Sequence, residues 1–185
     1  MIKIQPLQRL DAELFKAIAS GYTTAEIYRV SREESDANTS FSLSLEVLSE
    51  PQVFRYPFSD DDLAHYGSII PGDYCLAAYD GDWQVGLAIA EPQTWNRVLW
   101  VWDFHVAQTH RGLGIGRRLM NALAERARPD GLRAIVCETQ NTNVPAIRFY
   151  RAVGFSLEGV DISYYSNEDL LPGRTVAVFM KLRLD

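Results

Sequence analysis

The stretch His110-Arg111-Gly112-Leu113-Gly114-Ile115-Gly116-Arg117-Arg118 follows the apolar run Val98 to Val106, and together they decide the fold. Three alternating glycines let a backbone pass close to a ligand, because no Cβ stands in the way. The residues after them begin a helix, whose first N–H groups and positive dipole end attract anions. Arginines beside the glycines have no evident packing purpose, which favours a ligand. This strand, loop and helix therefore predict a polyphosphate site.

The residues around the glycines exclude two common phosphate loops. A mononucleotide P-loop ends in Gly-Lys-Ser/Thr, whereas Gly116 is followed by Arg117 and Arg118. The dinucleotide fingerprint needs a sixth-position glycine where Arg117 stands, and it normally lies in an early strand-turn-helix unit. What remains is the pattern Arg111-x-x-Gly114-x-Gly116, with a glycine-rich turn that binds nothing as the alternative.

Composition indicates one globular domain, residues 1–185, with 47% hydrophobic and 23% charged residues. No apolar stretch approaches the length of a membrane span, and the N-terminus lacks the layout of a signal peptide. We therefore expect a cytoplasmic protein with no membrane partner. Cys75 and Cys137 lie in strand-like runs and are expected to be buried thiols. No metal site is expected, because the three histidines lack ligand spacing.

The net charge of −6 is unevenly distributed. Residues 107–133 hold six arginines against Glu125 and Asp130, a balance of +4, which leaves −10 on the other residues. The basic segment coincides with the glycine loop and suits a phosphate-rich ligand. The acidic remainder should attract a cationic partner and repel nucleic acid. On the helix after the loop, Arg126 and Arg128 are expected to lie on a solvated face.

Periodicity and turn signals predict an α/β or α+β fold around one mixed sheet. The predicted helices are residues 11–19, one starting at Ser59, one after the glycine loop that is stopped by Pro129, and 144–152. The predicted strands are residues 2–7, 25–30, 41–48, 52–56, 73–79, 83–91, 97–106, 134–138, 155–165 and 176–182, with a polar patch over 31–40.

A second motif runs from Asn141 to Phe155. Asn143 can cap a helix whose first turn accepts Pro145, and Gly154 can supply the left-handed residue that ends it. This local chemistry is a sufficient structural explanation for the motif.

Both motifs resemble those of the GNAT superfamily of N-acetyltransferases. The pattern at Arg111 to Gly116 resembles the loop that holds the diphosphate of acetyl-CoA in that family. The pattern Asn-x-x-Ala-Ile-x-Phe-Tyr-x-x-x-Gly-Phe, which starts at Asn143, resembles the second GNAT motif. The resemblance implies a single GNAT-like domain with a twisted, mostly antiparallel sheet of about seven strands flanked by helices. It also implies acetyl-CoA as cosubstrate and no metal.

The resemblance further implies which residues bind the cofactor. In the second motif the asparagine, here Asn143, meets the pantetheine arm, and the tyrosine, here Tyr150, stands near the thioester sulfur. The expected cofactor-binding residues are Phe104, His105, Val106, Arg111, Gly112, Leu113, Gly114, Ile115, Gly116, Arg117, Asn143, Ala146, Phe149 and Tyr150.

Four further segments are similar to the streptothricin acetyltransferases, a GNAT family that acetylates the β-lysine amine of an antibiotic. They are Tyr22-Thr23-Thr24, Trp95-Asn96-Arg97, the run Glu138 to Tyr150, and Gly159-Val160-Asp161. The similarity implies a small cationic amine as substrate and a role in antibiotic resistance. One position departs from the wider superfamily, where many members carry a catalytic glutamate at the place of Trp100.

An amide-forming transfer needs a group that takes a proton from the amine. An alkylamine with a pKa of about 10.4 is protonated at pH 7, and deprotonating it costs about 4.6 kcal/mol. Asp103 is the only carboxylate on its strand, so it, or a water chain ending on it, is the candidate base. A pairing with Arg97, or binding of the substrate cation, is the alternative for Asp103.

The remaining steps need an oxyanion site and a proton for the leaving thiolate. Backbone N–H groups near His105 and Val106 are candidates for the oxyanion, where the strand parts from its neighbour. Tyr150 is the candidate proton donor, with a purely packing role as the alternative.

The acceptor site is expected to be acidic and aromatic, for a molecule with more than one positive charge. Its candidate residues are Trp95, Asp103, Glu138, Asp161 and Tyr164. Two other functions stay open at this point: acetylation of a protein lysine or N-terminus, and non-enzymatic binding of acyl-CoA. A homodimer is compatible with the sequence.

Overall fold

The computed structural model describes residues 1–184, which form nine strands and four α-helices. The strands are β1 (Ile2–Pro6), β2 (Tyr22–Glu34), β3 (Thr39–Phe54), β4 (Leu76–Asp80), β5 (Trp83–Gln93), β6 (Val98–Val106), β7 (Ala134–Gln140), β8 (Ser156–Asp161) and β9 (Ala177–Arg183). The helices are α1 (Ala12–Ile18), α2 (Asp60–Ile69), α3 (Ile115–Ala127) and α4 (Val144–Ala152).

Seven of the strands form one sheet, in the order β1-β4-β5-β6-β7-β9-β8. β6 and β7 run parallel, whereas β1–β4, β4–β5, β5–β6 and β8–β9 are antiparallel. The parallel pair is joined through α3, as a parallel connection requires a crossover. β2 and β3 form a separate antiparallel ribbon. The predicted mixed, mostly antiparallel sheet of seven strands with flanking helices is confirmed.

The chain divides into two compact units, the first of which holds Met1–Gly21, Arg55–Cys137 and the residues from Leu182 onward. Its core buries Phe15 of α1 and Tyr66 of α2 against apolar residues of β5 such as Leu87 and Ile89. α3 buries Ile115, Leu119, Leu123 and Ala127, the four-residue spacing that the sequence predicts. Each fully buried Leu or Ile contributes about 1.5–3 kcal/mol from the hydrophobic effect.

The second unit holds Tyr22–Phe54 and Glu138–Lys181. Within it, α4 is tied to the ribbon by an ion pair between Arg148 and Glu26 at 2.6 Å. A hydrogen bond from Arg151 to the Tyr28 hydroxyl, also at 2.6 Å, adds to this attachment. A single domain over residues 1–185 stays a prediction.

Helix starts follow the local chemistry of the sequence. Ser59 and Asp62 form a capping box at α2, since the Ser59 hydroxyl accepts from the Asp62 N–H at 3.1 Å and the Asp62 carboxylate accepts from the Ser59 N–H at 2.8 Å. Asp11 caps α1, and Asn143 caps α4 by accepting from the Ala146 N–H at 3.2 Å. The predicted caps at Ser59 and Asn143 are confirmed.

The predicted break over residues 31–40 is wrong, because β2 and β3 extend through most of it. Residues 31–34 pair with residues 39–42 across the two strands, and the Ser31 and Ser42 hydroxyls are 2.8 Å apart. Cross-strand pairing of this kind stabilises a ribbon without an apolar pattern. The predicted strand over 155–165 also ends earlier, at Asp161.

Two side-chain expectations have mixed outcomes. Cys75 and Cys137 are buried free thiols, as predicted. Of the two arginines expected on a solvated face, Arg128 is exposed and Arg126 is partly buried, and their guanidinium groups donate hydrogen bonds to the carbonyl oxygens of Leu184 and Asp73. Among residues 1–184, none of the helices combines the length and apolar character needed to cross a bilayer.

Candidate active site

A β-bulge shapes β6 just before the glycine loop. Ile89 of β5 pairs with Asp103 and the next residue pairs with Val101, so Trp102 is an extra residue on β6. The parallel ladder to β7 joins residues 98–101 to residues 134–137 and ends there. The second half of β6, residues 102–106, therefore lies beyond the point where its ladder to β7 stops.

The glycine loop has the backbone that the sequence predicts. Gly112 and Gly114 have φ angles of +78° and +77°, a left-handed conformation that other residues rarely adopt. A Cβ at either glycine would meet no protein atom within 4 Å, so the conformation rather than crowding selects glycine. Gly114 is also the N-cap of α3 and has no side chain to satisfy the N–H groups of the first turn. An exposed helix start of this kind suits an anionic ligand.

Arg111 holds the loop in place, so the expectation that these arginines lack a packing role is wrong. Its guanidinium donates to the carbonyl oxygens of Val106 at 3.1 Å and Gly21 at 2.9 Å. In the first turn of α3, Arg118 likewise donates to the carbonyl oxygen of Ile2 at 2.8 Å. These bonds fasten the loop and the start of the helix to neighbouring backbone.

Asp103 and His105 form a pair on one face of β6. The distance between Asp103 Oδ1 and His105 Nε2 is 2.6 Å, and only 8% and 10% of the two side chains is exposed. Asp103 Oδ2 is buried and has no hydrogen-bond partner within residues 1–184. The partner of Asp103 is thus His105, not Arg97, and the side chain of His105 is a functional candidate that the sequence analysis missed.

Aromatic rings enclose His105. Its ring centroid lies 6.1 Å from that of Phe15, 5.1 Å from Tyr56 and 6.2 Å from Phe58. Tyr66 of α2 stands close to Asp103, since burial, and after it the Asp103 carboxylate, raises the pKa of Tyr66. These residues all belong to the first unit, where they create an apolar enclosure around one carboxylate and one imidazole.

In the second unit, α4 positions the residues of the second motif. Tyr150 is 6% exposed, with ring centroids of Phe149 and Phe155 at 5.4 Å and 5.2 Å. Asn143 is buried, and its side-chain oxygen accepts the capping bond described above. The phenol of Tyr150 is therefore held in a fixed aromatic environment.

An acidic and aromatic cluster lies elsewhere in the second unit. Tyr165 donates a hydrogen bond from its hydroxyl to Glu138. Burial, and then the carboxylates of Glu138 and Asp161, raise the pKa of Tyr164. The structure thus brings Glu138, Asp161 and Tyr164 together, and adds Tyr165, which the sequence analysis did not single out.

Trp95 occupies the turn before β6 and is 85% exposed. Six residues of extended strand separate the start of β6 from Asp103, which corresponds to roughly 15–20 Å. The structure therefore does not bring Trp95 and Asp103 into one cluster. A substrate contact by Trp95 stays a prediction.

Comparison with known proteins identifies relatives over most of the chain. The model of the acetyltransferase (GNAT) family matches residues 40–155. A streptothricin acetyltransferase of Streptomyces lavendulae is 33% identical over 161 residues, which is 84% of this chain and 82% of that protein. A streptothricin acetyltransferase of Escherichia coli is 30% identical over 82% of this chain and 83% of its own length.

Solved structures agree in fold. A nourseothricin acetyltransferase superposes with a TM-score of 0.80 at 29% identity, covering 100% of this chain and 99% of the other. A streptothricin acetyltransferase from Bacillus anthracis, solved with acetyl coenzyme A, has a TM-score of 0.73 at 22% identity and covers 99% of both chains. The fold, the glycine loop and the family match together show that this chain belongs to the GNAT family and is an acetyl-CoA-dependent acetyltransferase.

Proposed function

We propose that the protein acts in the cytoplasm and acetylates streptothricin on its β-lysine amine, and that this reaction confers resistance to the antibiotic. The observation that carries the proposal is the 33% identity to the Streptomyces lavendulae enzyme, which extends over 84% of the chain. An alignment of 161 residues extends well beyond the glycine loop and the second motif.

The cofactor is proposed to bind at the glycine loop that follows β6. Its diphosphate accepts hydrogen bonds from the backbone N–H groups of residues 112–117, supported by the positive end of α3. Arg111 contributes by shaping the loop, because its guanidinium is engaged with the Val106 and Gly21 carbonyls. The pantetheine arm and thioester contact Phe104, His105, Val106, Asn143, Ala146, Phe149 and Tyr150.

The reaction is proposed as a direct transfer in which protons and bonds balance. The ammonium of the acceptor loses one proton toward the Asp103–His105 pair, a deprotonation that costs about 4.6 kcal/mol at pH 7. The free amine attacks the thioester carbon, and the backbone N–H group of Val106 stabilises the oxyanion, because the N–H of His105 faces β5. The C–S bond then breaks and the thiolate gains a proton from the Tyr150 hydroxyl. The second proton of the nitrogen passes through water to the Tyr150 oxygen, so the phenol is restored and one proton in all is released to solvent.

Acceptor recognition is proposed to rest on carboxylates and aromatic rings. Glu138 accepts a hydrogen bond from Tyr165, and burial, followed by the carboxylates of Glu138 and Asp161, raises the pKa of Tyr164. Such a cluster favours a second ammonium of the antibiotic through charge attraction and cation–π contact. Trp95 is retained as a further candidate contact.

The proposal is tested with the purified protein and with bacteria. Thiol release from acetyl-CoA should require streptothricin, and expression in a sensitive bacterium should raise the streptothricin concentration that stops growth. A Tyr150→Phe strain is the matched control, in which we expect the gain to shrink. No gain in resistance, together with efficient acetylation of a peptide or a neutral amine, would overturn the substrate and favour protein acetylation.

A further inference from the structure

The Asp103–His105 pair has a geometry that orients a proton acceptor. Asp103 and His105 are two positions apart on β6, so their side chains face the same side of the strand. Oδ1 and Nε2 are 2.6 Å apart, and both side chains are about nine-tenths buried. An ionised carboxylate only accepts hydrogen bonds, so the imidazole nitrogen that faces it must carry the proton. That arrangement leaves the lone pair on Nδ1 of His105.

The other imidazole nitrogen is available within the described part of the chain. Among residues 1–184, no protein group forms a hydrogen bond to Nδ1 of His105. Of the rings that surround His105, those of Phe15 and Phe58 have no polar atom that could compete for the lone pair. Apolar surroundings of this kind strengthen the Asp103–His105 hydrogen bond, because less water competes for it.

Nδ1 of His105 lies close to the proposed oxyanion site because both belong to the same short stretch of β6. In the proposed function, the N–H group of Val106 holds the carbonyl oxygen of the thioester. His105 is the preceding residue, and a histidine ring reaches only about 4–5 Å from its own backbone. An amine that attacks the held carbonyl therefore passes within reach of the imidazole, directly or through one water.

We propose that His105 is the proton acceptor of the reaction and that Asp103 is its positioning residue, an inference that rests on the proposed function. The acceptor ammonium gives one proton to Nδ1, its N–H bond electrons stay on nitrogen, and the amine then attacks the thioester. The imidazolium formed is stabilised by the Asp103 carboxylate and later releases its proton to water. Asp103 keeps its charge throughout.

The groups that face the pair are mostly uncharged. α1 presents Phe15, the segment before α2 presents Tyr56 and Phe58, and α2 presents Tyr66 beside Asp103. Asp62 is the further carboxylate that acts on Tyr66. The titratable neighbours of the Asp103–His105 pair are therefore Tyr56, Tyr66 and Asp62.

His105→Gln is the sharpest test, because the glutamine amide can still donate a hydrogen bond to Asp103 but cannot take up a proton at neutral pH. We expect kcat with a saturating amine to fall by roughly 10²-fold or more, while KM for acetyl-CoA changes less than about threefold. In the wild type, kcat/KM should fall on the acid side as the imidazole becomes protonated, and this limb should disappear in His105→Gln. His65→Gln, which changes a histidine outside the proposed machinery, is the matched control.

A second variant guards against misfolding of the first. In His105→Ala, imidazole added to the buffer should restore part of the lost rate, an effect that a structural role would not produce. Near-normal kcat in folded His105→Gln, or no rescue in folded His105→Ala, would overturn His105 as acceptor and return the role to Asp103. A wild-type protein that releases no thiol with any amine would instead overturn the proposed function, and this inference with it.

Discussion

At the residue scale, Gly114 and Gly131 form a natural pair for testing the phosphate loop. Their φ angles are +77° and +70°, and neither would bring a Cβ within 4 Å of a protein atom. Alanine should therefore impose similar backbone strain at both positions, about 1 kcal/mol. We expect Gly114→Ala to raise KM for acetyl-CoA several-fold more than Gly131→Ala does, in steady-state assays. Equal KM values for both variants would contradict the loop assignment.

Tyr150 is the second residue whose role can be isolated. Tyr150→Phe keeps the ring between Phe149 and Phe155 and removes only the hydroxyl. If that hydroxyl protonates the thiolate, kcat should fall by roughly 10²-fold with little change in KM. Tyr74→Phe, another buried tyrosine whose hydroxyl bonds Asp130, is the control and should leave kcat unchanged. Near-normal kcat in Tyr150→Phe would leave the residue with a packing role.

The roles of single residues at helix ends could be predicted from local sequence. Contacts between side chains that are distant in sequence could not. Asn143 and Pro145 predict the start of α4, because an N-cap and a first-turn proline affect only the few residues next to them. The Asp103–His105 pair could have been found from strand alternation, which places residues i and i+2 on one face. The partnership of Glu138 and Tyr165 had no such signal, since 27 residues separate them.

At the scale of secondary structure elements, the capping box of α2 predicts a pH effect on stability. Hydrogen bonds from Ser59 lower the pKa of Asp62. A carboxyl group with a lowered folded-state pKa contributes stability that is present above its unfolded pKa, near 4, and that is lost as pH falls through the lower folded value. We therefore expect Asp62→Asn to lower the melting temperature at pH 7, and the gap to the wild type to narrow below about pH 4.

The control for this effect is Asp61→Asn, which removes an acidic residue from the same first turn without touching the capping box. Thermal melts of both variants across pH 3–7 check the prediction. A difference between wild type and Asp62→Asn that is constant with pH would rule out the capping carboxylate as its cause.

Elements with long-range pairing escaped the sequence analysis for a physical reason. β2 and β3 continue into the polar segment 31–40 because residues 31–34 pair with residues 39–42 across the ribbon, with the Ser31 and Ser42 hydroxyls in contact. Residues 31–40 lack the alternation of apolar residues that reveals a half-buried strand, whereas residues 41–47 of β3 have it. α3 was predicted closely, because its core-facing residues recur every four positions.

At the scale of the whole molecule, Asn141 connects elements of the second unit. Its side chain donates to the Tyr28 carbonyl at 2.7 Å and accepts from the Val176 N–H at 2.8 Å, and the residue is 5% exposed. Asn141→Ala would leave two buried backbone groups without partners, at a cost of about 2–4 kcal/mol. Urea unfolding should show this loss, whereas Asn121→Ala on the exposed side of α3 should change stability by less than about 0.5 kcal/mol.

The unfolding midpoint, rather than activity, is the informative readout for Asn141. An Asn141→Ala protein as stable as the wild type would show that these hydrogen bonds do not hold the ribbon to the rest of the second unit.

The charge distribution of the whole chain leads to the prediction about the acceptor. The basic residues cluster in 107–133 around the glycine loop, and the remaining residues carry a net charge of −10. A carboxylate-lined acceptor site should prefer a molecule with several ammonium groups, because a desolvated carboxylate without its cation is costly. The enzyme should therefore select its acceptor by the number of ammonium groups as well as by the amine that reacts.

The most direct measurement compares kcat/KM for streptothricin with kcat/KM for a simple monoamine, by following thiol release from acetyl-CoA. We predict a ratio of at least about 10²-fold, or roughly 2.7 kcal/mol of transition-state discrimination. Acetylation of the monoamine or of a lysine peptide as efficiently as streptothricin would contradict the proposed acceptor.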